Sequence, residues 1–270
     1  MTSADLPLPL PLIAALAIVA AYLVGSLSFA VIISRVMGLA DPRSYGSRNP
    51  GATNVLRSGN KAAAILTLAF DALKGYVPVV LALVFGPRFG LGEGTAAFVG
   101  LAAFLGHLWP VFFRFEGGKG VATAAGALLG LNPWLGLATL ATWIVIAAFF
   151  RYSSLASIVS AVFAPFYQAL IWGAEPALLA IAIMSVLLVW RHEGNIRKLL
   201  AGTESRLGQK AGGAAAATAA GAAGKGHEHH AADHGHHAGH GHGGHHGAKA
   251  QHGGGKPHPH ASSKPHRKGH

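Results

Sequence analysis

Seven stretches of this chain are apolar and nearly free of charge: residues 12–34, 62–85, 95–113, 121–131, 134–150, 155–172 and 177–190. Several reach the ~20 residues a helix needs to cross a hydrocarbon core. The pattern predicts an all-α fold, a polytopic membrane bundle of about seven transmembrane helices. The fourth stretch is short and ends at Asn132-Pro133-Trp134, a strong helix stop and restart. The sixth ends at a second break, Gly173 to Pro176. Merging or dropping the short pieces gives five spans as the alternative.

Polar residues between these stretches set the orientation. Upstream of the first stretch lies Asp5 and no Lys or Arg, unlike the positive start of a signal peptide, and Arg35 follows it. With the N-terminus outside, the inner connections hold Arg35, Arg43, Arg48, Arg57, Lys61, Arg114, Lys119, Arg151, Arg191, Arg197 and Lys198. The outer ones hold one cation, Arg88. That asymmetry is what the positive-inside rule requires, and it predicts a cytoplasmic C-terminus.

Composition agrees with the class. The 270 residues are 51% hydrophobic and 11% charged, with a mean hydropathy of +0.42. A soluble domain carries about a quarter charged residues. No cysteine is present, which excludes disulfides and thiolate metal sites. The net charge of +11 divides in two. Residues 209–270 have no Leu, Ile, Val, Met or aromatic residue, yet hold 15 of the 17 histidines and a charge of +5. They are expected to be a disordered appendage to a membrane-embedded domain of residues 1–208. Their irregular histidine spacing suggests no defined zinc site. The remaining +6 does not argue for nucleic acid as a partner.

Every glycine-rich polar stretch falls on the same predicted face: "GSRNPGATNVLR" (46–57), "GHLWPVFFRFEGGKGVAT" (106–123), "RYSSLAS" (151–157) and "HEGNIRKLLAGTE" (192–204). They supply cations, small polar side chains and backbone amides near glycine, the chemistry of an anion site. Gly117, Gly118 and Gly120 surround Lys119, and a helix starting near Val121 would add its positive end. This is no Walker A loop, because Phe113 takes the first glycine position and Gly120 follows the lysine. Ser47 and Asn49 can donate to phosphate oxygens, and His107 can accept a proton near neutral pH. His192 and Asn195 share a helix face. Blander readings stand beside these: His107 as an interfacial residue, Arg35 and Arg197 as topogenic charges, Ser153, Ser154 and Ser157 as a helix cap, and Asp71 and Lys74 as a pair that neutralises itself.

The four motifs, in order and spacing, resemble the membrane acyl-phosphate:glycerol-3-phosphate acyltransferases, the PlsY family, over about residues 10–206. The resemblance implies acyl transfer from acyl phosphate to glycerol 3-phosphate, giving lysophosphatidic acid and phosphate in bacterial phospholipid synthesis. It implies a seven-helix fold in the inner membrane and a site facing the cytoplasm. It assigns catalytic roles to Ser47, His107 and Asn195. Glycerol 3-phosphate binding is expected at Arg57, Lys119, His192, Arg43 and Asn49, and acyl phosphate binding at Gly117, Gly118, Gly120, Ser153 and Ser154. The implied partners are the two substrates, the bilayer and the soluble enzyme that makes acyl phosphate. No cofactor or metal is implied, since the mixed anhydride is already activated. Arg48 departs from the small residue many members carry there, and the His-rich tail lies outside the pattern. Acyl-CoA-dependent acyltransferases usually carry H-x-x-x-x-D, whereas Val111 and Phe112 stand four and five residues after His107.

Two phosphates at 4–6 Å repel by several kcal/mol at an effective dielectric near ~20. The cations and amides would offset that, and holding both reactants makes the attack effectively unimolecular. Either His107 or the substrate's own phosphate could serve as base. A transporter of organic phosphates would instead show polar groups on both faces and internal duplication, and neither is visible.

Overall fold

The first apolar stretch forms two helices rather than one. α1 (Leu10–Gly25) and α2 (Phe29–Val36) meet at a 41° bend. The structure, a computed structural model, describes residues 8–208. The tail expected beyond residue 208 lies outside the described residues. The bend has a chemical consequence, because the Leu27 carbonyl leaves the helix ladder and accepts a hydrogen bond from Lys74 Nζ at 2.7 Å.

The other stretches follow in order: α3 (Ala52–Leu56, a short connector), α4 (Lys61–Phe85), α5 (Glu93–Leu108), α6 (Val121–Leu131), α7 (Pro133–Phe150), α8 (Ser153–Ile171), α9 (Pro176–Arg191) and α10 (Glu193–Leu200). Among the described residues, four helical segments are long and apolar enough to span a membrane: Lys61–Phe89, Glu93–Phe113, Pro133–Phe150 and Ser153–Ile171. The bent pairs α1–α2 and α9–α10 bring the number to six. At 1.5 Å per residue, the eleven residues of α6 cover about 16 Å, roughly half a hydrocarbon core. It is the short fourth segment of the sequence pattern.

Local chemistry sets the boundaries. The Asn60 side chain accepts from Ala63 N at 3.0 Å and starts α4. Asn132 ends α6 and caps α7, accepting from Trp134 N at 3.0 Å, with Pro133 at the first helical position. Pro110 stops α5, and Pro176 opens α9 after Gly173 turns left-handed at φ 85°.

α5 is the central helix, packed by α1, α4, α6 and α9. Phe104 and Leu108 are fully buried with Leu135 and Ile181 from α7 and α9. Large apolar side chains such as Ile65, Phe149, Leu170 and Val186 face outward, as expected where lipid is the solvent. Helices in lipid gain little from burying apolar surface, so close backbone contact must bind them. The α4–α6 seam illustrates this. A Cβ on Gly126 would run into the Ala72 carbonyl, and one on Gly75 into the Thr123 carbonyl. This seam holds α6 against α4 and so fixes where the loop before α6 lies.

A Gly126→Leu change is therefore expected to destabilise the bundle by about 1–3 kcal/mol through overpacking. Thermal unfolding in detergent micelles, followed by tryptophan fluorescence, measures the drop.

Candidate active site

Four connections converge at one end of the bundle: residues 37–60, 114–120, the Arg151–Tyr152 turn and the segment after His192. Arg43 Nη1 lies 3.6 Å from Glu116, Thr53 Oγ1 lies 3.3 Å from Ser153 Oγ, and Arg57 donates to Ser205 Oγ at 2.5 Å. Near the opposite end, a Cβ on Gly90 would touch Leu10 and one on Gly94 would touch Pro176.

The 41–57 loop is tied from within. The buried Asn54 amide donates to the carbonyls of Pro42 (2.7 Å) and Tyr45 (3.2 Å) and accepts from Ser47 N (3.0 Å). Arg43 forks onto Asp41 at 2.7 Å, and that hydrogen bond holds the Asp41 carboxyl below the usual range. Arg43, expected to bind phosphate, thus already has a carboxylate partner. Arg48, at a left-handed φ of 56°, lines an open cleft of about 380 Å³ with Arg43, Pro50, Phe115, Glu116, Gly117 and Arg191. Asn49 accepts from Gly51 N through its backbone carbonyl at 3.0 Å.

The glycine loop is oriented by Arg191. Its guanidinium donates to the Gly117 carbonyl at 3.0 Å and to the Gly118 carbonyl at 3.1 Å. Carbonyls that would repel an anion are thereby occupied. One expectation needs correcting. The Gly118 N–H is not bare, because it donates to the His107 carbonyl at 3.1 Å. Glycine is required there because a Cβ would collide with the His107 ring at Nε2. The Gly120 carbonyl accepts from Ala124 N at 2.8 Å, and Gly120 leads into α6 at φ 78°.

Lys119 donates to the Asn195 side-chain oxygen. Asn195 Nδ2 donates to Glu204 Oε1 at 2.6 Å, and Ser154 Oγ donates to the same oxygen at 2.7 Å. Ser153 and Ser154 therefore meet Thr53 and Glu204 from other connections, and no side chain caps α8 at Tyr152. Burial pushes the Lys119 ammonium down to about 8; Glu204 works against this, while Lys198, Arg191 and Arg57 add to it. His192 is buried, with Nδ1 2.8 Å from the Leu188 carbonyl one turn back.

His107 lies one layer deeper. Its Nδ1 is 3.1 Å from Thr123 Oγ1 and 3.7 Å from Asp71 Oδ1, and Asp71 pairs with Lys74 at 2.8 Å. Asp71 thus stands near His107 from another helix, beyond ordinary hydrogen-bond distance. Ser47 and His107 share no hydrogen bond among the described residues.

Lys119, Asn195, Ser153, Ser154, Arg57, the three glycines and His107 are brought together. Sequence reasoning missed Glu204, Ser205, Thr123, Asn54 and Arg191. Glu204 ended one quoted motif and Arg191 was counted only as a topogenic charge, but nothing in the sequence shows what they touch.

A family model described as glycerol-3-phosphate acyltransferase matches residues 15–202. The glycerol-3-phosphate acyltransferase of Ralstonia nicotianae is 69% identical over 192 residues, covering 71% of this chain and 93% of its own. That of a Janthinobacterium species is 66% identical over 190 residues, covering 70% and 94%. The crystal structure of PlsY, an integral membrane glycerol 3-phosphate acyltransferase, in its glycerol 3-phosphate form matches with a TM-score of 0.68. Its sequence identity is 38%, and the match covers 72% of this chain and 96% of that one.

A Lys119 ammonium that titrates at about 8 is charged at pH 7 and largely neutral at pH 9. Sulfate keeps its charge over that range, so its affinity is expected to fall about tenfold between those pH values. Lys119→Arg is expected to flatten the dependence. Calorimetry on the purified protein checks both, and a flat wild-type curve would contradict the assignment.

Proposed function

The chain belongs to the glycerol-3-phosphate acyltransferase family, and we propose that its acyl donor is an acyl phosphate and that its site opens to the cytoplasm. It is an acyltransferase in a multi-pass membrane fold. In the reaction proposed, a hydroxyl of glycerol 3-phosphate attacks the acyl carbonyl carbon of the donor. The new ester C–O bond forms, the bond from the acyl carbon to the phosphate oxygen breaks, and inorganic phosphate leaves. The product is lysophosphatidic acid. The hydroxyl proton passes to His107 or to the phosphate of glycerol 3-phosphate itself.

The observation that carries this reading is the junction of Lys119, Asn195, Ser154 and Glu204 beside Arg57, at the end of a largely apolar bundle. A cation on a loop that ends at the N-terminus of α6, with the Asn195 amide of α10 against it, suits a phosphate. The Arg43, Arg48 and Arg191 cleft next to the glycine loop leaves room for a second anion. Arg57 and Lys119 are assigned to glycerol 3-phosphate, with Asn195 and Ser47 orienting its hydroxyls and His192 and Asn49 at its edge. The Gly117–Gly120 loop with Ser153 and Ser154 is assigned to the acyl phosphate. The acyl chain enters from the bilayer, while glycerol 3-phosphate and the donor-making soluble enzyme approach from the cytoplasm. In a bacterium that places the protein in the inner membrane, N-terminus outside and C-terminus inside.

Purified protein is expected to release phosphate from palmitoyl phosphate only when glycerol 3-phosphate is present. Release that ignores glycerol 3-phosphate, or turnover with acyl-CoA instead, would overturn the donor assignment. With His107 as the base, His107→Ala lowers kcat by about 10²- to 10⁴-fold. Normal turnover in that variant would remove the histidine from the chemistry.

Orientation is testable because the chain has no cysteine. Ala174→Cys, on an exposed connection, is expected to react with an impermeant maleimide in spheroplasts with intact inner membranes, and Ser44→Cys only after lysis. The reverse pattern would place the site on the other side.

A further inference from the structure

We infer that Arg48 and Phe115 are two contacts of the acyl-donor subsite: the Arg48 guanidinium holds the phosphoryl group, and the Phe115 ring covers the first methylenes of the acyl chain. The inference rests on the reading of acyl phosphate as the donor.

The two residues share an unusual backbone. Arg48 sits at φ 56° and Phe115 at φ 61°, the left-handed region that residues with a Cβ seldom adopt. Each is pinned by its own turn. Arg48 N donates to the Tyr45 carbonyl at 2.9 Å, and Phe115 N donates to the Pro110 carbonyl at 3.0 Å. Glycine would fit either position with less strain, so presenting these two side chains costs backbone energy. Both line the same open cleft of about 380 Å³, a size that suits a small ligand.

The cleft offers charge and apolar surface together. Arg43, Arg48 and Arg191 supply three guanidiniums, against the single carboxylate of Glu116. Two of the three are engaged. Arg43 pairs with Asp41 at 2.7 Å and lies 3.6 Å from Glu116, while Arg191 donates to the Gly117 and Gly118 carbonyls at 3.0 and 3.1 Å. Among the described residues, no hydrogen bond or ion pair engages the Arg48 guanidinium. Its planar fork matches phosphate oxygens in pairs. Phe115 supplies the apolar part, with 57% of its surface exposed. Glycerol 3-phosphate has no apolar segment to set against that ring. Acyl phosphate joins a phosphate to a methylene chain through one carbonyl, so of the two substrates it alone uses both contacts. Gly117 lines the same cleft and connects it to the glycine loop. The bland alternative is a solvated charge at Arg48 and an interfacial ring at Phe115. It predicts no change in donor affinity when either is replaced.

The test uses the purified full-length chain in detergent micelles, with palmitoyl phosphate and glycerol 3-phosphate as substrates and inorganic phosphate as a competitor of the donor. Arg48→Gly, which also relieves the backbone, is expected to raise KM for palmitoyl phosphate about tenfold and to weaken inhibition by inorganic phosphate about as much. KM for glycerol 3-phosphate is expected to stay within about twofold. Arg48→Lys keeps the charge but loses the fork, and is expected to fall between Arg48→Gly and the native chain. Phe115→Ala is expected to raise KM for palmitoyl phosphate about 3- to 10-fold while leaving inhibition by inorganic phosphate unchanged, because that ion has no chain to cover. An unchanged donor KM in Arg48→Gly, or a rise confined to glycerol 3-phosphate, would overturn the inference. An equal loss of inorganic phosphate inhibition in both variants would overturn it too, since a distorted loop would then explain them. Native protein that releases no phosphate from palmitoyl phosphate would instead remove the donor assignment, and the inference with it.

Discussion

Asp71 and Lys74 place two opposite charges 2.8 Å apart inside a helix bundle whose solvent is lipid. Neither is tolerable alone, since removing one member of a buried pair typically costs about 3–5 kcal/mol. Their partners therefore have to be supplied by neighbours, and the neighbours define the site. Lys74 takes the Leu27 carbonyl that the α1–α2 bend releases. The Asp71 backbone carbonyl takes the Thr123 hydroxyl, and its carboxylate stands beside His107. The pair on α4 thus reaches the bend in the first span and the histidine on α5, and the backbone carbonyl of the same Asp71 reaches α6.

Above this buried layer, the polar end of the bundle handles electrostatics differently. Three of its cations already have partners within the protein. Arg43 is held by Asp41, Arg191 by two loop carbonyls, and Lys119 by Asn195, whose amide is backed by Glu204. A site built this way keeps its donors ordered without a ligand, so less freedom is lost when one arrives. Arg191 has the most economical role. By engaging the Gly117 and Gly118 carbonyls it offsets the negative ends of those peptides beside the cleft.

The division between lipid-facing and polar surfaces suits a reaction with one greasy and one charged substrate. Large side chains such as Phe149 and Val186 face outward along the spans, while arginine and lysine crowd one end. Small residues at the helix crossings, Gly126 above all, let the helices approach closely enough to carry that arrangement.

The sequence by itself determined the class and most of the spans. Long uncharged runs can be satisfied only as helices in lipid, and Asn132-Pro133 or Gly173 to Pro176 stop a helix wherever they occur. The motif residues that meet at one end, Lys119, Asn195, Ser154 and Arg57, were legible because their spacing resembles a known pattern. The tertiary structure decided everything that depends on contact between distant segments. No periodicity reveals that residues 12–34 break at Ser26–Ser28, because the break is stabilised by Lys74 on another helix. Nothing in "FEGGKG" says that the Gly118 amide is already committed to His107. Asp71, read along the chain, is only one half of a neutral pair with Lys74. It stands beside the His107 ring because α4, α5 and α6 pack together, and hydrogen-bond geometry between helices is fixed by packing rather than by residue type.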